Sequence, residues 1–396
     1  MSALAAVLLV RLADEAAVFL PFGTLESFRA DLGLTYAQAG TVLAAIAPGV
    51  LVGGVFAAAA DRYSRRVIAA GGAFGFALSL AMFGLGGSFA VLAAASFVMG
   101  MASTAMVDGV EVALVDIAGD DLRTWLARTN LLATVGDLLG PALVAGTVVV
   151  GLSWRVAFGV GGVLMALYGV ALALSPLPPP ARGGGHATQE GDQDEGPRAS
   201  RLAGVLKDPA VWALGLIGLL MVPFDEPLVG FTIALLEQDR GASAAVATIV
   251  AFVGIAGGVL AFTVLARRFE GVPDGRLLAG SVAAMVAGAV TIAVVPVLTV
   301  TALAALVASV GLNLAWLATQ HRALTLRPGQ VGTTSAVLGM IESTGMWIPI
   351  GIGLVADQAG LTAAVGCFGA LGVLMLALVV WLGRRDHDGE RSAADA

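Results

Sequence analysis

Eight carboxylates stand inside stretches that are otherwise apolar: Asp14, Glu15, Asp108, Glu111, Asp137, Asp225, Glu226 and Glu342. Only Arg11 accompanies them there. Burial and a like charge nearby both disfavour ionisation, so acids in such places can take up and release protons near neutral pH as water reaches and leaves them. That is the chemistry of proton coupling. Arg11 precedes Asp14 and Glu15 by three and four residues, on one helical face, and can hold one of them ionised while the other titrates. Asp108 and Glu111 form an i, i+3 pair. Asp225 and Glu226 lie in VPFDEPLV, where Pro223 and Pro227 disrupt the backbone ladder and permit a bend or break. A bend there lets the two acids face a wet cavity instead of hydrocarbon.

The elements that carry these acids follow from composition. The chain has 396 residues, 58% hydrophobic and 12% charged, with mean hydropathy +0.92; this is the range of a membrane protein. Windows of about 20 apolar residues place spans at residues 2–24, 37–59, 67–87, 89–115, 129–150, 156–175, 209–235, 244–265, 276–296, 298–320, 331–355 and 361–383. A charge at mid-bilayer costs about 2.5–3.5 kcal/mol on the lenient insertion scale, so eight acids are not incidental. Counting about 1.5 Å per residue from the arginine-rich end of each span, most of them fall near the middle of the membrane.

Several chemistries are excluded. Cys367 is the sole cysteine, and His186, His321 and His387 all lie in polar segments, which leaves no disulfide and no soft-metal site. No G-x-x-x-x-G-K-[ST] loop occurs, so ATP is not the energy source. The spans hold no nucleophile–base pair, and neither an enzyme activity nor a nucleic-acid partner is expected. No resident cofactor or metal is expected either, the proton gradient serving as the source of energy.

With the N-terminus cytoplasmic, seventeen basic residues fall in the inner segments and only Arg29, Arg155 and Arg240 in the outer loops, which sets both termini in the cytoplasm. Residues 176–208 include SPLPPPARGGGHATQEGDQDEGPRAS, a polar, low-complexity linker. It divides an N-terminal six-helix bundle, 1–175, from a C-terminal one, 209–383, followed by a tail, 384–396. The halves echo each other: Asp14-Glu15 answers Asp225-Glu226, DRYSRR answers ARRFEG, and Asp137-x-x-Gly140 answers Glu342-x-x-Gly345, at offsets of about 205–211 residues. Such repeats are characteristic of secondary transporters, whose sites lie at the repeat interface.

AAAADRYSRR, residues 57–66, resembles the loop between helices two and three of the major facilitator superfamily, a pattern of roughly G-x-x-x-D-R-x-G-R-R. Asp61, Arg62, Arg65 and Arg66 match it; Ala57 and Ser64 stand where it usually has glycine. GDLLGPALVAG, residues 136–146, is similar to the helix-five motif of that superfamily's twelve-helix drug:proton antiporters, with Gly136, Gly140, Pro141 and Gly146 carrying the likeness. The arginine those antiporters carry in helix four is Ser96 here. The resemblance implies an all-α fold of two pseudo-symmetric six-helix bundles, with helices one, four, seven and ten around a central cavity. It also implies that the Asp61 loop clamps the cytoplasmic helix ends, with Asp116, Asp120 and Asp121 as partners for Arg65 or Arg66.

Taken together, these residues lead to the expectation of a secondary active transporter, a monomer in the bacterial cytoplasmic membrane, working by alternating access and exporting a cationic or lipophilic small molecule in exchange for protons. The surplus of intramembrane acid favours a cation, and Asn313, Trp316, Gln320 and Trp347 are candidates to line its cavity, aromatic rings suiting organic cations. Three alternatives stand beside this: a carrier of hard divalent metal ions, which prefer carboxylate oxygens; a proton:metabolite symporter; and a non-transporting receptor or scaffold.

Overall fold

Helices apolar on every side can satisfy all their backbone groups internally and accept lipid around them, and helix is what the chain forms. The computed structural model describes residues 3–59, 64–118, 122–177, 204–265, 268–269, 271–327 and 331–394, and no strand occurs among them. The helices are α1 (Ala3–Gly23), α2 (Leu25–Leu32), α3 (Tyr36–Ala44), α4 (Ile46–Ala59), α5 (Arg65–Leu85), α6 (Phe89–Ala118), α7 (Leu122–Val149) and α8 (Arg155–Ala173). After the linker come α9 (Pro209–Met221), α10 (Glu226–Gln238), α11 (Ala244–Leu260), α12 (Asp274–Val294), α13 (Leu298–Leu326), α14 (Val331–Ser343), α15 (Ile348–Ala359) and α16 (Leu361–Ala394).

Eleven helical stretches among the described residues are long and apolar enough to cross a membrane. The remaining expected span is α1, whose 21 residues carry Arg11, Asp14 and Glu15. Three expected spans are interrupted. The second is α3 and α4, parted at Ala45; the seventh is α9 and α10, joined by a 3-10 turn, Val222–Phe224, and Asp225; the eleventh is α14 and α15, joined by a 3-10 turn, Thr344–Trp347. Proline explains the last two. Pro223 has no N–H for the Leu219 carbonyl, and Pro349 has none for that of Gly345. Helix α11 runs on into one π-helical turn, Ala261–Leu265.

The chain forms two compact units, which do not divide at the linker alone: residues 233–252 and 349–358 join the N-terminal part. In that first unit α1 packs on α7, α4 and α5 on α6, and α5 on α8. Small residues allow close approach: a methyl group on Gly53 would sit 2.7 Å from the Met101 carbonyl oxygen. At the arginine-poor end Phe83 stacks on Phe158 at 4.5 Å, and Phe28 meets Phe83 edge-on at 5.5 Å beside Trp154. This nest seats α2, in a segment that the sequence suggests is a loop. Arg155 secures the same region, donating to the Gly84 and Gly86 carbonyls and to Asp31, each at 2.8 Å. In the second unit α12 packs on α13 and α16, and α9 on α14 and α16. Gly288 approaches the Ala304 carbonyl and Gly311 that of Ser281, while Phe368 meets Phe224 and Phe231.

Candidate transport site

In the first unit α1 presents its charged residues toward α6 and α7. Asp14, 6% exposed, accepts a 2.6 Å hydrogen bond from the Ser103 hydroxyl on α6. Arg11 pairs with Glu15 at 3.7 Å. Of the two adjacent acids, Glu15 is thus in reach of the arginine, and Asp14 is the more buried and is bonded by a hydroxyl. Sequence reasoning does not single out Ser103; it lies five residues before the half-buried Asp108 on the same helix.

Helix α7 lies against this group through two glycines. A methyl on Gly136 would meet the Leu12 carbonyl oxygen at 2.7 Å, and one on Gly140 the Ala16 carbonyl oxygen, also at 2.7 Å. Asp137 sits between them, half-buried, and Pro141 within the helix cannot bond its carbonyl. Gly146 is different: it is exposed, and a methyl group there would meet no atom of the described residues within 4 Å. Ser96, where the antiporter pattern has arginine, is fully buried, and its hydroxyl has no hydrogen-bond partner among the described residues.

In the second unit the two helix breaks touch. Gly345 packs directly on the Leu219 carbonyl that Pro223 leaves without an N–H, and Gly218 packs against the Glu342 carboxylate. A side chain at Gly345 would collide with backbone, and one at Gly218 would displace the Glu342 carboxylate. Glu342 is half-buried here, Asp225 is exposed and Glu226 half-buried at the adjoining bend, and Trp347 is 49% exposed. The proline-flanked acids are therefore at a discontinuity, where irregular backbone is tolerated only if it is buried in protein or lines a watery space. Asn313 is engaged in its own helix, donating to the Ser309 carbonyl at 2.8 Å and covering Gly258; Trp316 is half-buried and Gln320 exposed.

Asp61 and Arg62 lie outside the described residues, as do Asp120 and Asp121; Glu111 and Asp116 lie on α6, with side chains outside the description. Arg65 is 2% exposed and Arg66 exposed.

A second polar group, at the arginine-poor end of the first unit, is not apparent from sequence reasoning. Glu26 on α2 is 2% exposed. It accepts from Arg29 Nε at 2.9 Å and Nη2 at 2.7 Å, from the Tyr36 hydroxyl at 3.0 Å and from Gln238 Nε2 at 2.8 Å. The carboxylate raises the Arg29 guanidinium's hold on its proton above the ordinary value, against the opposing effect of partial burial. Next to it, Asp357 at the end of α15 accepts from the Tyr36 and Ala37 backbone N–H groups at 2.7 and 2.8 Å, completing the cap on α3. Gly353 lies against the Tyr36 carbonyl and Gly40 against that of Pro349. An acidic residue a few positions past a predicted span end was the one available signal, and it does not distinguish Glu26 from an ordinary loop acid.

The sequence matches the profile of the Major Facilitator Superfamily over residues 7–349. The chain belongs to that superfamily. Among solved structures, the nucleoside transporter NupG is similar with a TM-score of 0.78 at 13% identity, covering 96% of this chain and 99% of that one. A bacterial homologue of the human lysosomal transporter Spinster, inward-facing and unoccupied, gives 0.76 at 17%, covering 96% of each chain. A POT family transporter in complex with a thioalcohol-conjugated peptide gives 0.72 at 11%, again covering 96% of each. No curated protein matches the sequence. The major facilitator chain is thus a multi-pass transporter of the cell membrane and not an enzyme.

Proposed function

We propose that this major facilitator protein is a proton-coupled secondary transporter working by alternating access, and that it exports a cationic or lipophilic small molecule across the bacterial cytoplasmic membrane. The observation that carries the reading is Asp14, an acid 6% exposed in a membrane-spanning helix, hydrogen-bonded by Ser103 while the nearby Arg11 pairs with Glu15. A buried acid in contact with a neutral hydroxyl keeps a partner in either protonation state, which suits a group that must gain and lose a proton. Asp225 and Glu226, the matching pair in the other repeat, stand at a helix break and take the complementary role of binding positive charge.

The contacts of Glu26 and Asp357 support the alternating part of the mechanism. They tie the ends of α2, α3, α10 and α15 together on the side that the arginine distribution makes the outer one, and these ends must part for an outward-open phase. The Leu219–Gly345 contact offers a place where two broken helices can flex together. For the divalent-cation alternative, no set of three His, Cys, Asp or Glu that would hold a metal ion occurs among the described residues.

Flux in proteoliposomes under an imposed pH gradient tests the proposal, with a panel of organic cations, lipophilic drugs, nucleosides and peptides as substrates. Extrusion against the gradient by wild type, lost in Asp14→Asn, is the expected outcome. Accumulation driven by acid outside would make the protein a symporter, and gradient-independent flux would refute proton coupling.

A further inference from the structure

At the arginine-rich end of the second unit, the start of α9 meets the end of α13 and the last third of α16 around one carboxylate. Asp208 Oδ1 accepts from the Ala210 N–H at 2.9 Å, capping α9. Its Oδ2 accepts from Arg327 Nε at 3.1 Å and Nη2 at 3.0 Å, and Arg385 Nη2 stands 3.7 Å from Oδ1. Lys207 and Arg384 are exposed beside this centre, and the Arg385 side chain is 44% exposed. Two arginines thus engage one acid whose oxygens are both occupied, and the exposed Lys207 and Arg384 are the chain neighbours of Asp208 and Arg385.

Two tryptophans lie beneath these charges. Trp212 is four residues into the membrane from Asp208 on α9; Trp381 is four residues into the membrane from Arg385 on α16. Asp208 and Arg385 meet, and the backbone of each tryptophan lies about 6 Å further along its helix. They are 43% and 45% exposed. The Trp212 indole is fixed by donating to the Leu206 carbonyl at 2.8 Å, and the Arg385 guanidinium lies over the Trp381 ring at 5.8 Å. Exposed tryptophans about one turn inside span ends mark the headgroup boundary, and basic residues just beyond it complement a lipid phosphate.

We propose that this cluster is a binding site for an anionic phospholipid, its phosphate held by Lys207, Arg384 and the outer face of Arg385, its acyl chains lying along Trp212 and Trp381. Arg327 is the positioning residue: by occupying Asp208 it leaves Arg385 donors for the lipid. The site is independent of substrate and coupling ion.

The test uses the full chain, delipidated in detergent, with phosphatidylglycerol or phosphatidylcholine added back. Native mass spectrometry reads lipid retention, and thermal unfolding reads stabilisation. Wild type should bind phosphatidylglycerol in preference to phosphatidylcholine, less tightly as salt is raised. The exposed double variant Lys207→Ala/Arg384→Ala should bind it about 30-fold more weakly, at about fivefold for each basic residue near a lipid surface. Arg268→Ala, an exposed arginine elsewhere on the arginine-rich side, should bind as wild type does. No preference between the two lipids, unchanged affinity in the double variant, indifference to salt, or equal stabilisation by inorganic phosphate would each overturn the proposal. Should the double variant fail to fold, the wild-type salt and lipid comparisons still decide it.

Discussion

Replacing Glu26 by glutamine changes charge while almost preserving shape. The carboxylate offers both oxygens to the Arg29 fork and further lone pairs to Tyr36 and Gln238; an amide keeps one oxygen and turns its nitrogen, a donor, toward other donors. Two hydrogen bonds with a charged partner are lost or reversed, each worth about 1.5–3 kcal/mol. Arg29 is 21% exposed and regains some hydration, which brings the cost below the full sum of about 3–6 kcal/mol, to about 2–3 kcal/mol. Ala39, fully buried on α3, reports the effect: in a Cys367→Ser background, Ala39→Cys is labelled by a membrane-impermeant maleimide only when the surrounding helix ends separate. A loss of about 2 kcal/mol from the closed arrangement raises the labelling rate by about 30-fold. An unchanged rate in Glu26→Gln would refute the claim that this carboxylate holds the ends together, and labelling only from the cytoplasmic side would refute the assignment of sides.

Four further outcomes are expected. Asp14→Asn keeps an acceptor for Ser103, so the protein should remain folded by thermal unfolding while gradient-driven flux disappears. Gly345→Ala forces a methyl against the Leu219 carbonyl and should cost about 1–3 kcal/mol, as overpacking does, seen as a lower unfolding midpoint. Asp357→Ala removes the acceptor of the Tyr36 and Ala37 N–H groups at the start of α3 and should cost about 1–2 kcal/mol, with faster labelling at Ala39→Cys. Arg155→Ala releases two carbonyls and Asp31; with the arginine 32% exposed, about 2–3 kcal/mol is expected, and protease sensitivity should rise first around α2.

The helices themselves were legible from apolarity and length, because a bilayer admits few other solutions. The proline-flanked acids announced the break at Val222–Asp225, since a missing N–H is a local property. The break at Thr344–Trp347 was less visible: Pro349 lies four residues beyond Gly345, inside a run that still averages apolar. Asp14 was readable as a buried acid, but its Ser103 partner was not, because a serine in an apolar helix bonds its own backbone as readily as a neighbour. Glu26 escaped notice because its importance comes from Tyr36 and Gln238, one of them 212 residues away. Gly146 is a motif glycine beside which a methyl group would meet no atom of the described residues within 4 Å.

The cap on α3 has a bearing on biogenesis. Its acceptor is made 321 residues after the amide it receives, so during synthesis that helix must enter the bilayer with its first turn unfinished and hydrated. The join closes only when the chain is nearly complete. Defects at Asp357 should therefore surface as a late maturation fault, in molecules already inserted.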